Sequence, residues 1–210
     1  MRYFTEPGLE SEDNQLSTYV AYTHGTWNAL YQDRADRHIG FDILLSYIKD
    51  NFKAPTIIET GCIRCLNDWE GAGYQTFLIG YFVKHFGGSF KSIDNNATNL
   101  AFASANTEDF PIDFVLGDSK VVLGRIANDK RIDVLLLDSM DTDVQGHEDH
   151  CLAEAQSAMP GLHKGSIIVI DDTPKDGDGW KGKGAKAVPY LLSVGWTLLH
   201  QGYQSILVKS

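Results

Sequence analysis

Residues 166–174 read SIIVIDDTP, a serine and an unbroken run of isoleucine and valine that stops at two adjacent aspartates. An apolar run without alternation is typical of a strand that is buried on both faces of a parallel sheet. Two neighbouring carboxylates repel each other, so solvent, a helix N-terminus or a cation must compensate Asp171 and Asp172. The stretch therefore predicts a central strand whose carboxyl end carries chemistry.

Four apolar runs of the same kind precede this strand. They are PTIIET (55–60), SFKSID (89–94), DFVLGDS (113–119) and IDVLLLD (132–138). Stretches with helical periodicity lie between the runs and before the first of them, at 38–52, 73–86, 96–108, 119–129 and 147–159. In the first of these helices the pattern puts Ile39, Ile43, Leu44 and Ile48 on one apolar face.

The C-terminal stretch WTLLHQGYQSILVK (196–209) differs from the rest of the chain. Two strand-like runs flank Gln201-Gly202, which indicates an antiparallel hairpin. Alternating strands and helices that end in a hairpin predict an α/β fold. Its sheet is Rossmann-like, doubly wound, mostly parallel and seven-stranded, with the C-terminal antiparallel hairpin at its end.

Length and composition indicate one domain with its own core. The chain has 210 residues, of which 43% are hydrophobic, and it contains no internal repeat. We expect this domain over residues 38–210. Residues 1–37 are polar but rich in aromatic side chains. They predict an N-terminal cap on the core, with a lid or dimer arm near a site as the alternative.

The charge of the chain restricts its partners. A net charge of −10 argues against nucleic acid and anionic membranes, which favour Lys and Arg patches. No apolar run is long enough for a membrane span, and the N-terminus lacks the apolar region of a secretory signal. Three cysteines make no disulfide framework. These features predict a cytoplasmic protein that binds a small molecule and could form a homo-oligomer through its N-terminal segment.

Acidic residues stand at the carboxyl ends of all five predicted parallel strands: Glu59, Asp94, Asp118, Asp138 and Asp171-Asp172. Ligands of doubly wound sheets bind at this edge. The loop after the first strand has glycines but neither the P-loop nor the dinucleotide fingerprint, so no phosphate cradle is predicted. Asp94, after the second strand, is where such sheets place a carboxylate for a ribose diol. The pattern therefore favours a nucleoside cofactor.

The order of these motifs resembles the class I S-adenosylmethionine-dependent methyltransferases. E-x-G follows the first strand, Asp the second, GDS the third, LDSMD the fourth and IDD the fifth. The resemblance covers roughly residues 38–210. It is nearest to the metal-dependent O-methyltransferases, namely the macrocin O-methyltransferase and cephalosporin-hydroxylase-like group and, more distantly, the catechol type.

The resemblance implies a set of cofactor-binding residues. Glu59 and Gly61 are expected near the methionine moiety, Asp94 on the ribose, and Asp118 and Ser119 near the adenine. Gly73 and Thr76, at the start of the next helix, complete this expected set.

The resemblance also implies Mg²⁺ or another divalent cation held by Asp138, Asp171 and Asp172. Mg²⁺ prefers hard oxygen ligands, and it would lower the pKa of a substrate hydroxyl. Two other interpretations stay open. The acidic pair could be a solvated turn in which Asp172 or Thr173 caps a short helix, or it could belong to a relative that no longer binds metal.

A general base is expected shortly after Asp138. Asp141 is the first candidate and His147 the second, while the alternative is that both only solvate the loop. Cys62 and Cys65 are expected to be structural. The alternatives are thiol redox chemistry, or a zinc site completed by residues at 147–151, namely His147, His150 and Cys151.

The glycine-rich segment 176–190 predicts a solvated loop that leads into a helix. Its alternative is a substrate loop in which Trp180, together with Trp69, stacks on a ring. The expected function is metal-assisted O-methylation of a small hydroxylated molecule, such as a sugar, a polyketide-linked sugar or a phenol. The alternative is a Rossmann-like nucleoside-binding or regulatory domain that does not methylate.

Overall fold

The computed structural model of the chain describes residues 37–65 and 74–210. The predicted N-terminal cap up to residue 36, Gly73 and Trp69 lie outside the described residues. The helices are α1 Arg37–Asn51, α2 Tyr74–Phe86, α3 Ala97–Asn106, α4 Ser119–Asp129, α5 His147–Ala158 and α6 Gly184–Ser193. The strands are β1 Thr56–Thr60, β2 Ser89–Asp94, β3 Ile112–Leu116, β4 Ile132–Leu137, β5 Leu162–Ile170, β6 Lys175–Asp176, β7 Gly179–Trp180, β8 Trp196–Gln201 and β9 Ser205–Lys209.

Seven strands form one sheet in the order β3-β2-β1-β4-β5-β9-β8. The first five are parallel to their neighbours, and β9 is antiparallel to both β5 and β8. This is the predicted fold class, including its C-terminal hairpin. The strand order reverses between β1 and β4, so the crevice at their carboxyl ends is the place where this architecture binds ligands.

Helices cover both faces of the sheet, which explains the unbroken apolar runs. In β4 every residue is buried, and its side chains alternate between two hydrophobic clusters. Leu136 belongs to the cluster that contains α1 and α2 residues, and Leu135 belongs to the one that contains residues of α4, α5 and α6. A strand packed on both faces requires apolar residues at every position, so alternation is lost.

Three local predictions need correction. Ile39 of α1 is 43% exposed, and the buried stripe instead consists of Phe41, Leu44, Leu45 and Ile48 at helical spacing. Strand β5 begins at Leu162 rather than at 167, and its register against β4 shifts between Leu162 and Ile167. The segment 176–190 leads into α6 as predicted, but its first part belongs to the β6–β7 hairpin rather than to a loop. None of the helices in the described ranges has the length and apolar composition to cross a bilayer.

Gly61 holds three strand ends together. Its φ is +78°, and its N–H donates to the Ile93 carbonyl oxygen at 2.9 Å. A Cβ at this position would lie 2.6 Å from the backbone oxygen of Asp138. A side chain here would therefore meet both a left-handed backbone and the end of β4, and glycine avoids both penalties.

We predict that Gly61→Ala destabilises the chain more than Gly195→Ala does. Gly195 also has positive φ, +91°, but a Cβ there meets no atom within 4 Å. The control should lose roughly 1–2 kcal/mol for its left-handed backbone. Gly61→Ala should lose about 1–3 kcal/mol more, because the strand ends must separate. Urea unfolding of both variants measures this difference, and equal losses would contradict the packing argument.

Candidate functional site

A cavity of about 300 Å³ opens at the carboxyl ends of β1, β2 and β4. Six residues predicted to take part in the site line it: Gly61, Asp94, Asp118, Ser119, Asp138 and Asp141. The remaining lining residues are Cys62, Arg64, Ile93, Asn95, Asn99, Gly117, Ser139, Met140, Val144 and His150. The cavity thus lies at the point where the strand order reverses, and its wall contains several carboxylates.

Asp94 is positioned by the residues that follow β2. Its Oδ1 accepts a hydrogen bond from the backbone N–H of Asn96 at 2.8 Å, and the Asn99 amide lies 3.3 Å from both carboxylate oxygens. The Cys62 thiol lies 3.5 Å from Oδ2. A carboxylate held in this way presents fixed acceptors to the cavity, as recognition of a diol requires.

Asp118 and Ser119 lie at the start of α4. The Asp118 carboxylate caps the helix by accepting from the N–H groups of Lys120 and Val121. Although burial favours the neutral acid, the hydrogen bond from Val121 and the charge of Lys120 lower the pKa of Asp118. Asp118 is therefore the N-cap of α4, and the cap also fixes its position on the cavity wall.

His150, one of the possible zinc ligands in the sequence, joins a polar network beside Ser119. Its Nε2 lies 3.3 Å from Ser119 Oγ and 3.2 Å from Glu154 Oε1. Glu154 is 1% exposed and also accepts from Ser139 Oγ at 2.6 Å. The network connects α4, α5 and the end of β4, so it sets the width of this part of the cavity.

Glu59 is not among the residues that line the cavity, and its contact with a cofactor stays a prediction. It is 1% exposed and accepts hydrogen bonds from Ser92 Oγ, Thr76 Oγ1 and Gln75 Nε2 at 2.6, 2.9 and 3.2 Å. Thr76 is also buried, and its Oγ1 accepts from the backbone N–H of Ile63. Both residues support the loop after β1 from below. Burial raises the pKa of Glu59 to about 7, against the lowering effect of its hydrogen bonds.

Asp141 and His147 have different positions. Asp141 lines the cavity, and its two oxygens accept from the Arg64 guanidinium at 2.8 and 2.9 Å in an exposed pair. His147, at the start of α5, does not line the cavity, and its Nδ1 lies 2.9 Å from the Val144 carbonyl oxygen. The geometry therefore favours Asp141 over His147 for contact with a ligand.

The three predicted metal ligands do lie together. Asp138, Asp171 and Asp172 each offer a carboxylate oxygen, and these three oxygens lie within 4.8 Å of one another. Within the described ranges, this acidic group is where three potential metal ligands come together. Asp138 follows β4 and Asp171 follows β5, and the Asp171 N–H donates to the Leu137 carbonyl oxygen at 3.1 Å. Adjacent strand ends thus bring the carboxylates together, as the sequence indicated.

Two buried cations occupy this acidic group. Arg37 donates to both oxygens of Asp171, at 3.2 and 2.7 Å, and to Asp172 Oδ1 at 3.3 Å. Lys183 Nζ lies 2.5 Å from Asp138 Oδ1 and 3.1 Å from Asp172 Oδ2. Both side chains are almost fully buried, with 3% and 2% exposed. We call these five residues the ionic cluster.

The charges of Lys183 and Asp172 stabilise each other, whereas burial raises the pKa of Asp138 well above its ordinary value, against the lowering effect of Lys183. Burial alone would lower the pKa of Lys183, but the charges of Asp138 and Asp172 raise it. Burial likewise disfavours the charged form of Asp172, but Lys183 and a hydrogen bond from Tyr203 lower its pKa. Tyr203 donates its hydroxyl to Asp172 Oδ1, and the Arg37 guanidinium lies 4.3 Å from its ring centre.

Backbone geometry brings Lys183 into the cluster. Asp172 has a φ of +46°, and its carbonyl oxygen accepts from the Lys183 N–H at 3.1 Å. Gly182, with a φ of +60°, approaches this carbonyl so closely that a Cβ would overlap it. Gly184 packs against Thr173, where a Cβ would also overlap, and donates its N–H to Thr173 Oγ1. The G-K-G motif at residues 182–184 is therefore the feature of the sequence that indicates a buried lysine.

The acidic group does not fit a resident divalent cation in this arrangement. Its carboxylate oxygens are the right ligands for Mg²⁺. However, both oxygens of Asp171, both of Asp172 and one of Asp138 already accept from Arg37, Lys183 or Tyr203. An added ion would lie beside two buried positive charges and would be repelled by them. The sequence correctly grouped the acids but did not find the two cations.

Residues 37–65 and 74–210 do not place the cysteines in a group of three potential metal ligands. Among the described residues, the acidic group is where three potential ligands converge, and Cys62, Cys65, His147, His150 and Cys151 are not part of such a group. Burial raises the pKa of the Cys151 thiol, which makes it unreactive. Trp180 does not line the cavity either, since its indole donates to Gln201 Oε1 and its ring packs on the core.

No family model matches the chain, and no curated protein matches its sequence. Solved structures do match its fold. The calicheamicin methyltransferase CalS11 is 14% identical with a TM-score of 0.59, and the match covers 98% of each chain. A putative rRNA methylase from Clostridium thermocellum is 15% identical with a TM-score of 0.55, over 81% of this chain and 97% of the other.

A third match is fibrillarin from Aeropyrum pernix, whose structure contains natively bound S-adenosyl-L-methionine. It is 10% identical with a TM-score of 0.52, and the match covers 79% of this chain and 74% of fibrillarin. At these identities the likeness establishes the fold: the chain has the Rossmann-like architecture of S-adenosylmethionine-dependent methyltransferases.

We predict that Glu59 makes stability depend on pH. The folded chain keeps a proton on Glu59 up to about pH 7, whereas the unfolded chain releases it near the ordinary value of 4.5. The free energy of unfolding of the wild type should therefore fall as pH rises through this window. Glu59→Gln has no such proton, so its stability relative to the wild type should rise by up to about 3 kcal/mol from pH 4.5 to 8.

Chemical unfolding at several pH values measures this change, and the slope matters rather than the offset at one pH. The exposed Glu108 provides the matched control, since Glu108→Gln removes the same charge at the surface. A Glu59→Gln curve parallel to the wild type would contradict the buried acid.

Proposed function

We propose that the chain is an S-adenosylmethionine-dependent O-methyltransferase that acts on a small hydroxylated molecule. The observation that carries the proposal is the cavity at the strand-order reversal, because Asp94 and the loop of Gly61 face it. A fixed carboxylate beside a glycine turn, without a phosphate cradle, suits a nucleoside that carries no phosphate groups. The shared fold supports the same assignment.

The cofactor would extend along the three strand ends that line the cavity. The ribose hydroxyls would donate to Asp94, and the methionine moiety would lie against the backbone at Gly61, where the absent Cβ allows close approach. The adenine would lie toward Asp118 and Ser119 at the start of α4. The loop that follows β4, where Ser139, Met140 and Asp141 line the same cavity, would face the acceptor.

Asp141 is the proposed general base for the acceptor hydroxyl. One hydrogen bond from Arg64 to each oxygen leaves each oxygen a second lone pair for a substrate proton. Arg64 would hold the carboxylate in one orientation, and the protein would otherwise accelerate transfer by aligning hydroxyl and methyl. His147 is the weaker candidate, because it lies off the cavity.

The acceptor class follows from charge and size. The acidic chain disfavours RNA, so a sugar, a polyketide-linked sugar or a phenol is the proposed acceptor. One CalS11 structure is described as a TDP-rhamnose 3′-O-methyltransferase, which supports a sugar. The rRNA methylase structure indicates that the fold alone does not fix the acceptor. Association through the N-terminal segment remains a further proposal.

Metal assistance, which the family resemblance implies, is not part of this proposal. The carboxylates that would hold Mg²⁺ are paired with Arg37 and Lys183, so activation of the hydroxyl is assigned to Asp141 alone. The rival function is a nucleoside-binding domain that does not methylate. Transfer of a labelled methyl group from S-adenosylmethionine to a panel of nucleotide sugars and phenols separates the two.

We predict that Asp94→Ala weakens binding of S-adenosylhomocysteine by about tenfold to a hundredfold, because charge-assisted hydrogen bonds contribute ~1.5–3 kcal/mol. Isothermal titration measures the dissociation constant. Asp109→Ala, which removes an exposed carboxylate outside the cavity lining, should bind like the wild type. An unchanged constant in folded Asp94→Ala would remove the ribose assignment.

We predict that Asp141→Asn lowers the rate of methyl transfer by roughly 10²–10⁴-fold, the usual contribution of a general base. The affinity for S-adenosylhomocysteine should hardly change, since the residue faces the acceptor. Asp143→Asn, two positions away and exposed, and His147→Gln should both retain activity. A larger loss in His147→Gln than in Asp141→Asn would transfer the role to the histidine.

A further inference from the structure

The ionic cluster contains as much positive charge as a divalent ion would supply. In their ionised forms the three carboxylates carry three negative charges, and Arg37 and Lys183 provide two positive ones. A Mg²⁺ or Mn²⁺ ion among the same carboxylates would also provide two. The net charge of the group is therefore the same in either arrangement, and the repulsion between Asp171 and Asp172 is relieved without a metal.

The position of Lys183 is built into the backbone. Its ammonium contacts the acids at the ends of two different strands, namely Asp138 after β4 and Asp172 after β5. Its own N–H donates to the Asp172 carbonyl oxygen, and glycines on both sides allow the chain to approach β5. A flexible surface lysine that had moved into a vacant site would need neither glycine.

Arg37 is fixed by independent contacts. Its guanidinium makes a two-pronged hydrogen bond to Asp171, and it lies over the Tyr203 ring. It is 3% exposed, at the first residue of α1. An arginine buried in this way cannot leave for solvent without stranding Asp171, because a lone buried carboxylate is strongly disfavoured.

We propose that Arg37 and Lys183 replace the divalent metal in this chain: they neutralise the acidic group, exclude a resident ion and hold the loop after β4 at the cavity. Asp138 is the link, since it both pairs with Lys183 and lines the cavity. The inference does not depend on methyl transfer, because it concerns which cation the carboxylates bind.

The test is to remove one cation and measure whether a metal replaces it. After treatment with chelator and dialysis, the wild type and Lys183→Ala are titrated with Mn²⁺, and free Mn²⁺ is followed by electron paramagnetic resonance. The wild type should show no saturable site up to about 1 mM. Lys183→Ala frees carboxylate oxygens of Asp138 and Asp172. It should bind one Mn²⁺ with a dissociation constant at least tenfold below this limit.

Thermal unfolding provides a second readout. Mn²⁺ should raise the melting temperature of Lys183→Ala and leave that of the wild type unchanged, since a ligand stabilises the state that binds it. Adding Asp138→Asn to the variant should abolish the gain. Lys183→Gln, which is uncharged, one bond shorter than lysine and keeps two N–H donors, serves as the second variant if the alanine variant does not fold.

Lys186→Ala is the matched control. Lys186 lies three residues after Lys183, in the first turn of α6, and carries the same charge. It is exposed and pairs with Asp149 and Glu148 on α5. It should behave like the wild type with Mn²⁺. A stoichiometric Mn²⁺ site in the wild type that Asp138→Asn removes would overturn the proposal. So would folded Lys183 variants that gain no site, or an equal gain in Lys186→Ala.

These outcomes are independent of the proposed function. Binding of S-adenosylhomocysteine is measured on the same samples without Mn²⁺, and the wild-type affinity should be unaffected by chelator. Failure of the metal replacement with intact cofactor binding would revive a metal-assisted transferase. Metal replacement without cofactor binding would leave the inference standing and remove the transferase.

Discussion

The neutralisation of three buried carboxylates is the constraint on which the site depends. Parallel strands β4 and β5 end side by side, so Asp138 and the pair that follows β5 must share one small volume. Burial makes unpaired charges there very costly. Arg37 and Lys183 meet this requirement: Arg37 comes from a segment far from the sheet edge along the chain, and Lys183 follows the β6–β7 hairpin. The start of α1, the segment before α6 and the β8–β9 turn are thereby joined at one point.

The cluster also explains why the backbone is unusual where it is. A positive φ angle is unfavourable for a residue such as Asp172. Here the positive φ angles of Asp172 and Gly182 let the Lys183 N–H reach the Asp172 carbonyl oxygen while the Lys183 side chain enters the ionic cluster. Gly61 performs the equivalent task on the other side of β4. Close backbone approach at Gly61 and at Gly182 holds the strand ends in place. The part of the cavity wall that these strand ends form is therefore rigid.

A rigid cavity beside a neutralised acidic group suits chemistry that depends on alignment. Methyl transfer between a sulfonium and a hydroxyl needs two reactants in line more than it needs strong acids or bases. Asp94, at the end of β2, would bind the cofactor, and Asp141, in the loop after β4, would face the acceptor hydroxyl. The buried Glu59 contributes from below, since it holds the loop after β1 through side-chain hydrogen bonds.

The sequence by itself determined the fold class, the positions of the seven strands of the main sheet and the acids at their ends. These features depend on apolar runs and turns between near neighbours, which are written directly in the chain. The sequence also showed that Asp171 and Asp172 need a compensating charge. Whether solvent, a helix N-terminus, a metal ion or a cationic side chain supplies this charge depends on which groups are close to the two aspartates in the folded chain. Arg37 lies 134 positions from Asp171, and Lys183 lies 45 from Asp138, so only the folded chain could bring these partners together.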